Sequence, residues 1–427
     1  MKQRWLLAVG WVVLSTCVWV QAAAEMVIST DRTEAVYAVG ETVVFEVEVT
    51  DGGTPVNSLE LQGELSSDGF RHRESVPVKL VEGKAQVKGR LDKPGLLWLR
   101  VTLKQDEGRL LRKEMGAAFS PEKIKPSLPK PDDFDAFWQA QKDRLNAIPM
   151  AAVLKQVESP EQGVELYTVT MNNINDTTIY GYLAKPVGEG PFPGYLQVQW
   201  AGVYSLDPAW ILWIAKMGFI TLNINAHAIE NGRPQTYYDE LNKGKLRNYP
   251  SQGRDHRDTS YFLRMYLSCF RAAEYLASRA EWDKTYFVVA GGSQGGGQAL
   301  VTAGLSPHVT ALAADVPALC DLTANAVGRY DGWPRMVELD ARGVANPEQQ
   351  TMARYFDAVN FSRGVNVPAI VGTGFADLVC PSSSVYAAFN VLKGPKTMVV
   401  DPQTGHNGGK VNWSKAYNAF LREQGGL

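Results

Sequence analysis

The sequence is poor in cysteine, and this shortage argues against two classes of protein. Four cysteines occur in 427 residues, and only Cys269, Cys320 and Cys380 lie beyond the N-terminal segment. Three cysteines do not describe a disulfide scaffold, so the sequence predicts at most one bridge, with buried free thiols an equally good expectation. No pair of these cysteines has metal-ligand spacing and no His-Glu-x-x-His stretch occurs. A zinc hydrolase would therefore lack its usual ligands, and we expect neither a metal nor another cofactor.

A strong excess of charge is also missing. The formal net charge is -2, which gives no reason to expect nucleic acid or an anionic membrane as a partner. Hydrophobic residues make up 45% of the chain and charged residues 21%, values typical of a globular protein with a large core. These values leave the oligomeric state open.

Long hydrophobic runs are absent except near the N-terminus. Lys2 and Arg4 precede an apolar stretch over residues 5–20, and three alanines follow at 22–24. This order predicts a cleaved export signal over residues 1–24 and a secreted or periplasmic protein without stable membrane insertion. A retained anchor is less favoured because the stretch is shorter than the roughly 20 residues that span a bilayer. Lipidation at Cys17 is a weaker alternative, since threonine is unusual just before a lipoprotein cysteine.

The remaining residues divide into two parts. Apolar and polar residues alternate within residues 25–120, for example from Val43 to Val49, and the short strands with turns between them predict a small immunoglobulin-like β-sandwich. One hairpin is expected to turn at residues 82–83. Residues 121–131 contain four prolines and predict a stiff, extended linker before a catalytic domain over residues 132–427.

The predicted catalytic domain alternates between strand and helix patterns. Strands are predicted at residues 194–200, 219–225 and 285–292. Helices are predicted after Asp207, along an apolar stripe from Phe262 to Leu276, and from about Gln298. This alternation predicts a mostly parallel sheet with helices on both faces.

Ser293 lies in the sequence Gly-Gly-Ser-Gln-Gly at residues 291–295, between a predicted strand and a predicted helix. G-x-S-x-G at such a junction is the pattern of the nucleophile elbow in α/β-hydrolases. Glycine is expected on both sides because neighbouring segments must pass close to a sharp turn. Taken alone, the motif is equally consistent with a plain glycine-rich turn, whereas a phosphate loop is disfavoured because no lysine follows the glycines.

The order of residues along the chain selects partners for this serine. A serine hydroxyl needs a base, usually a histidine oriented by a carboxylate, and this fold places them in the order Ser, acid, His. Of five histidines, three precede Ser293 and His308 follows it too closely, which leaves His406. Asp377 follows a predicted buried strand between the two, whereas Asp357 and Asp401 are weaker candidates. The sequence therefore predicts a triad of Ser293, Asp377 and His406.

Five segments point to one family. They read PDDFDAFW from Pro131, GGSQGGGQAL from Gly291, ADVPALCD from Ala314, YFDAVNF from Tyr355 and GFADLVCPSSSVYAAFN from Gly374. These segments resemble the acetyl xylan esterase and cephalosporin-C deacetylase family, carbohydrate esterase family seven, from about residue 131 to the C-terminus. The resemblance implies an α/β-hydrolase fold, with Ser293 as nucleophile, Asp377 as acid and His406 as base.

The chain departs from this family at three places. The segment AHAIENG at 226–232 replaces the usual Arg-Gly-Gln-Gly, WAGVY at 200–204 replaces the His-Gly-Tyr that donates an oxyanion-hole amide, and Asn407 replaces the common glutamate after the histidine. These changes leave the predicted triad intact. They leave the acyl and sugar specificity open.

The elbow also predicts an oxyanion hole. Two backbone amides should meet the negative oxygen of the tetrahedral intermediate, and we assign them to Gln294 and Val203. Trp200, in the same loop as Val203, is predicted to contact substrate and to limit the length of the acyl group. Trp210 and Trp213 lie on a predicted helix, and we expect them to pack in the core.

Together these observations predict a serine esterase that removes acetyl or other small acyl groups from a carbohydrate, with acetylated xylan the substrate that the resemblance suggests. Two alternatives are a peptidase of the same fold and a non-catalytic protein whose sandwich binds carbohydrate.

Overall fold

The computed structural model describes residues 24–56, 61–67, 72–105, 109–407 and 411–427. Nearly all of the predicted export signal, including Cys17, lies outside the described residues. In the part of the chain that is described, no helix is long and apolar enough to cross a membrane.

The N-terminal part forms two sheets that share a hydrophobic core with the rest of the protein. Their described strands are β1 (Glu25–Thr30), β2 (Val36–Tyr37), β3 (Thr42–Asp51), β4 (Thr54–Pro55), β5 (Leu61–Ser66), β6 (Glu74–Pro77), β7 (Lys84–Arg90), β8 (Gly95–Lys104) and β9 (Leu110–Phe119). One sheet contains β1, β3, β4 and β7, and the other contains β2, β9, β8, β5 and β6. The predicted β-sandwich is therefore present in front of the α/β part.

Buried and more exposed residues alternate along β3 because successive side chains of a strand point to opposite faces. Val43, Phe45, Val47 and Val49 are all fully buried, as predicted. The predicted hairpin turn at residues 82–83 is present, since Val81 and Lys84 exchange two backbone hydrogen bonds of 2.7 and 3.0 Å across it, but the pairing does not extend into the strands on either side. Both turn residues have positive φ, and β6 pairs with β5 in one sheet whereas β7 pairs with β3 in the other.

The segment 121–131 is attached to the α/β part along its length. Asn390 donates hydrogen bonds to the carbonyls of Pro121 and Ile124, both at 2.9 Å. The Ser127 hydroxyl donates to the Asp321 carboxylate at 2.6 Å. The proline-rich stretch is thus fixed against its neighbours by specific contacts, and it is not extended throughout as predicted, because Pro121–Lys123 form a short 3-10 helix.

A mixed sheet forms the centre of the second part. In order across the sheet, its described strands are β10 (Val153–Val157), β11 (Val164–Asn172), β12 (Thr178–Pro186), β14 (Ile220–Ile224), β13 (Phe192–Val198), β15 (Trp282–Gly292), β16 (Ala311–Asp315), β17 (Ala369–Thr373) and β18 (Lys396–Val400). The pairs from β14 through β18 are parallel, and β10 to β12 add antiparallel pairs at one edge. This is the mostly parallel sheet that the alternation predicted, in the α/β-hydrolase arrangement that the family resemblance implied.

Helices cover this sheet. They are α1 (Phe134–Asn146), α2 (Ala209–Lys216), α3 (Gln235–Lys243), α4 (Tyr261–Ala277), α5 (Gln294–Leu305), α6 (Pro347–Phe356), α7 (Ala358–Ser362), α8 (Ser382–Val391) and α9 (Val411–Gln424). The predicted apolar stripe lies on α4, and its members Phe262, Met265, Cys269, Ala272 and Leu276 are fully buried. Asp207 accepts a hydrogen bond from the Ala209 amide at 2.9 Å, as a capping residue does. Two helix starts differ in detail: α2 begins at Ala209, one residue after the expected Pro208, and α5 begins at Gln294 instead of near Gln298.

Candidate active site

Ser293 lies at the junction where β15 ends and α5 begins. Its backbone has φ 57° and ψ -122°, a sparsely populated conformation that costs on the order of 1–3 kcal/mol and persists only when its surroundings enforce it. Two contacts do so, because the Ser293 amide donates to the carbonyl of Asp315 at 2.9 Å and the Ala318 amide donates to the Ser293 carbonyl at 2.9 Å. The hydroxyl is thereby held at the carboxyl end of the sheet.

The glycines around Ser293 are required by close backbone contacts. A Cβ on Gly291 would lie 2.5 Å from the carbonyl carbon of Gly295, and a Cβ on Gly295 would overlap the carbonyl oxygen of Val198. A Cβ on Gly296 would lie 2.8 Å from the Cα of Pro317. The glycine run therefore lets α5 start immediately after the serine and pack against β13 and the loop after β16, which explains why this helix begins earlier than predicted.

The structure brings the three predicted residues into one hydrogen-bonded chain. His406 Nε2 lies 2.9 Å from Ser293 Oγ, and His406 Nδ1 lies 2.8 Å from Asp377 Oδ2. The Asp377 side chain is fully buried and that of His406 is 15% exposed. Because an ionised carboxylate only accepts, Nδ1 carries the proton toward Asp377 and Nε2 is free to accept from the serine hydroxyl.

Asp377 is held by the backbone that follows β17. Its Oδ1 accepts hydrogen bonds from the amides of Val379 and Cys380, both at 2.8 Å. The two weaker candidates lie elsewhere. Asp357 caps α7, and its carboxylate accepts hydrogen bonds from the amides of Asp321, Leu322 and Val359. Its role is therefore structural. The carbonyl of Asp401 accepts from the Thr404 amide in the turn before His406.

The N-terminal sandwich contacts the loop that carries Asp377. A Cβ on Gly116, in β9, would overlap the carbonyl oxygen of Phe375, two residues before the aspartate. Leu96 and Trp98 of β8 line a small cavity of about 80 Å³ together with Phe375 and Asp377. Residues of the sandwich therefore form part of the surroundings of the Asp377 carboxylate.

An open cavity lies above Ser293. It has a volume of about 430 Å³, within the range typical of small-molecule sites, and is lined by Trp200, Ala201, Gly292, Ser293, Val316, Trp333, Val379, His406 and Asn407. We call it the catalytic cavity. The loop after β13 thus reaches it through Trp200 and Ala201, whereas the side chain of Val203 is 9% exposed and belongs to the main hydrophobic core.

His227 fixes the loop that carries Trp200. Its Nε2 lies 2.9 Å from the carbonyl oxygen of Gly202, and its Nδ1 lies 2.6 Å from the Tyr261 hydroxyl. Burial, reinforced by the positive Arg264, lowers the pKa of His227 to about 3, so the ring is neutral at ordinary pH. Since a carbonyl can only accept, Nε2 carries the hydrogen and Nδ1 accepts from the tyrosine.

The sequence patterns do not predict this role of His227. The chain order excluded it as the base, and the family departure at 226–232 was the one signal that this segment had a different task. Two further contacts hold the same region: the Ala226 amide donates to Gln199 at 2.6 Å, and the Tyr249 hydroxyl donates to the side chain of Gln294 at 2.6 Å. A polar layer therefore joins the loop to the start of α5.

The prediction that Trp210 and Trp213 lie in the core is wrong. Trp213 is 41% exposed and Trp200 is 39% exposed, and the rings of Trp200 and Trp210 lie 4.3 Å apart. All three line a second cavity beside the first. Helix α2 buries its other face, through Ile211, Leu212 and Ile214, which leaves the tryptophans at the surface.

Potential metal ligands occur at one place among the described residues. Asp377, Cys380 and His406 have ligand atoms within 4.8 Å of one another. The carboxylate and Nδ1 of this group are already bonded to each other, so the arrangement serves the hydrogen-bonded chain. Cys269, Cys320 and Cys380 are all buried free thiols.

A strained serine between strand and helix, a histidine after the last strand and an acid after the strand before it are the features by which α/β-hydrolases are recognised. The sheet order and the positions of Ser293, Asp377 and His406 match that description. The fold and the site therefore define the class as α/β-hydrolase.

Comparison with known proteins identifies the family within this class. The family model described as acetyl xylan esterase (AXE1) matches residues 121–424. The chain is 33% identical over 375 residues to the acetyl esterase Axe7A of Xylanibacter ruminicola, covering 87% of this chain and 84% of the relative. The chain belongs to the acetyl xylan esterase family and is a carboxylic ester hydrolase.

Solved structures agree with this fold. An acetyl xylan esterase from Paenibacillus sp. R4 superposes with a TM-score of 0.61 at 27% identity, over 71% of this chain and 97% of that one. Acetyl xylan esterase 1 from Thermoanaerobacterium sp. JW/SL YS485 gives a TM-score of 0.60 at 22% identity with the same coverages.

Proposed function

We propose that Ser293, His406 and Asp377 act as a catalytic triad that removes acetyl groups from acetylated xylan or xylo-oligosaccharides. The observation that carries this proposal is the continuous chain of two hydrogen bonds, 2.9 Å and 2.8 Å long, that ends on a strained serine facing an open cavity. The choice of acetyl as the acyl group and of xylan as the sugar class rests on the family membership and on the name of the relative.

The reaction proceeds in two acyl-transfer steps. Ser293 Oγ attacks the acetyl carbonyl while His406 Nε2 takes its proton, and Asp377 stabilises the resulting imidazolium. His406 then returns the proton to the departing sugar oxygen, which leaves an acetyl-serine. A water molecule then attacks this ester with His406 again as base, and His406 passes the proton to Ser293 Oγ as the ester bond breaks, which releases acetic acid and regenerates the free serine. No cofactor takes part.

The oxyanion of each tetrahedral intermediate is stabilised by backbone amides. Gln294 is the first residue of α5, where an amide has no partner inside the helix, and it is our first donor. The second comes from the loop after β13. The sequence predicts the amide of Val203 as this donor, and the amide of Ala201 is the alternative, because Ala201 lines the catalytic cavity.

The acyl group accepted is small. Trp200 lines the cavity that contains Ser293, so its indole occupies space that a longer acyl chain would need. A peptidase of the same fold and a non-catalytic carbohydrate-binding protein are the alternatives. Incubating the protein with acetylated xylo-oligosaccharides, other acetylated sugars and peptide substrates, and measuring acetate and amine release, tests all three. Acetate release from the xylo-oligosaccharides that disappears in Ser293→Ala supports the proposal, and peptide cleavage or inactivity contradicts it.

We further propose that residues 1–24 direct export, on the basis of the charged, apolar and small-residue order of the sequence. Expression of the full chain, followed by mass spectrometry of the exported protein, should give a new N-terminus near residue 25. An unprocessed protein in the cytoplasm would contradict this.

The domain division at 25–120, 121–131 and 132–427 is likewise our proposal, with the sandwich as a support for the acid loop. The packing of Gly116 against the backbone of Phe375 favours this role over polysaccharide binding. A variant lacking residues 25–120 should lose activity on small acetate esters. Full small-ester activity in that variant, together with binding of the isolated sandwich to insoluble xylan, would reverse the assignment.

A further inference from the structure

A second cavity lies beside the catalytic cavity, between α2 and α9. It has a volume of about 330 Å³ and opens over the carboxyl ends of β13, β15 and β16. Most of its large lining side chains are aromatic. We call it the aromatic cleft, and its aromatic members are Tyr195, Trp200, Trp210, Trp213, Trp413 and Tyr417.

The rings of the cleft pack in two groups, one of Trp413, Tyr417 and Trp213 and the other of Trp200 and Trp210. Trp413 stacks on Tyr417 with ring centroids 5.6 Å apart and 14° between the planes. Trp213 meets Tyr417 edge to face at 6.4 Å. Trp213 and Trp200 remain 41% and 39% exposed, which is unusual for side chains that gain so much from burial. A grouped exposed aromatic surface of this kind marks a binding site more often than a bare exterior.

The chemistry of the lining selects a neutral ligand. Among the described residues that line the cleft, Asp315 is the one acidic group, and no basic side chain is present. Burial raises the pKa of Tyr195 and of Tyr417 above the ordinary value, so both stay uncharged. Gln197 adds an amide whose Oε1 accepts from the Tyr195 hydroxyl at 3.5 Å and whose Nε2 is a donor. Flat apolar faces with a few hydrogen-bonding groups fit a pyranose ring, whose C–H face stacks on indole while its hydroxyls bond at the edge.

The cleft adjoins the catalytic cavity. Trp200 and Gly292 line both of them, and Gly292 immediately precedes Ser293. A ligand in the cleft is therefore a neighbour of whatever group reaches the serine. An acetylated sugar chain is long enough to occupy both, with its acetyl group at Ser293 and the adjoining sugar on the tryptophans.

We propose that the aromatic cleft binds the sugar unit next to the acetylated one, and so recognises an oligosaccharide in preference to a small ester. This inference rests on the proposed function, since it assigns the substrate of that site a second point of contact. Trp213 and Trp413 carry the binding, while Trp200 forms the wall between the two cavities.

The test compares two substrates in matched variants. In Trp213→Ala, kcat/KM for acetylated xylotetraose divided by kcat/KM for 4-nitrophenyl acetate should fall by about tenfold, and Trp413→Ala should act in the same direction. Tyr286→Ala, which removes a 37% exposed aromatic outside the cleft, should leave the ratio unchanged. Circular dichroism and thermal unfolding establish that each variant is folded.

A binding measurement separates this proposal from the proposed function. Unacetylated xylotetraose should bind the Ser293→Ala protein in a calorimetric titration, and about tenfold more weakly when Trp213→Ala is added. An unchanged substrate ratio together with unchanged binding overturns the cleft assignment. A specific loss of activity on hexanoate esters would also overturn it, because the occupant would then be the acyl chain. If the wild type releases no acetate from xylo-oligosaccharides, the proposed substrate fails, and the titration alone decides about the cleft.

Discussion

The catalytic cavity and the aromatic cleft share Trp200 and Gly292, yet they are built in different ways. The catalytic cavity depends on backbone geometry: the strained Ser293, the glycines packed against neighbouring carbonyls, and a loop held by His227. The cleft depends on side chains that two helices far apart in the chain bring together. Chemistry that needs atoms placed within a fraction of an ångström requires fixed backbone, whereas stacking on a ring tolerates looser placement.

Removing the nucleophile separates the two regions most sharply. Ser293→Ala should lower kcat by at least about three decades, because covalent catalysis is lost while the oxyanion hole remains. Oligosaccharide binding should persist, since the cleft is untouched. Steady-state kinetics with a chromogenic acetate ester, together with calorimetry, measure both. A folded variant that keeps most of its activity would remove Ser293 from the mechanism.

The pH dependence of stability tests the role of His227, which hydrogen-bonds to the loop that carries Trp200. The folded pKa of His227, about 3, lies below the ordinary value near 6.5. Between these values the unfolded chain binds a proton that the folded protein excludes, so this stabilisation is complete above pH 6.5 and is lost as the pH falls. The loss from pH 6.5 to 4 should reach about 3 kcal/mol. His227→Gln should abolish this component in urea unfolding measured at a series of pH values. Parallel pH profiles for the two proteins would refute it.

A third change should affect the catalytic cavity alone. In Gly116→Ala the new methyl group pushes on the carbonyl of Phe375, which displaces the Asp377 loop. We expect kcat for a small acetate ester to fall by about 10- to 100-fold, as a shift near 1 Å in a catalytic group produces, with KM nearly constant. The control is Gly95→Ala in the same sheet, whose Cβ would meet only a side-chain methyl at 3.7 Å. Equal activities of the two variants would show that the sandwich contact does not position the acid.

The smallest expected effect is at Trp200, which lines both the catalytic cavity and the aromatic cleft. Wild type should cleave acetate esters more than tenfold faster than butyrate esters, since each excluded methylene is worth roughly 1–3 kcal/mol. Trp200→Ala should reduce that preference by opening the catalytic cavity toward the cleft. The measurement is kcat/KM for acetate, butyrate and hexanoate esters of one leaving group. A flat wild-type profile contradicts the small pocket, and a steep profile that the substitution leaves intact excludes Trp200 as its cause.

Local patterns predicted those features that are set by local forces. The burial of alternate residues in β3, the apolar face of α4 and the elbow at Ser293 each follow from a strand or helix period or from a turn that only glycine permits. The order of acid and histidine after the elbow was enough to choose Asp377 and His406, which the structure places in hydrogen-bonding distance.

Features that depend on distant partners were not predictable. The turn at Glu82 and Gly83 is encoded locally, but the sheet that each flanking strand joins is decided by the sandwich core. Trp213 lies on an apolar helix, and its exposure follows from which face of α2 packs on the sheet, the face that carries Ile211 and Ile214. The anchoring role of His227 likewise depends on a carbonyl in another loop.

The contact between Gly116 and Phe375 has a consequence for protein engineering. The β9 strand and the acid loop are complementary surfaces, so they form one transferable unit even though they lie in different halves of the chain. A chimera that exchanges the N-terminal half for that of another esterase must keep glycine at position 116 or change the 374–378 loop with it. Screening libraries that vary these two segments jointly should recover active hybrids more often than libraries that vary either one alone.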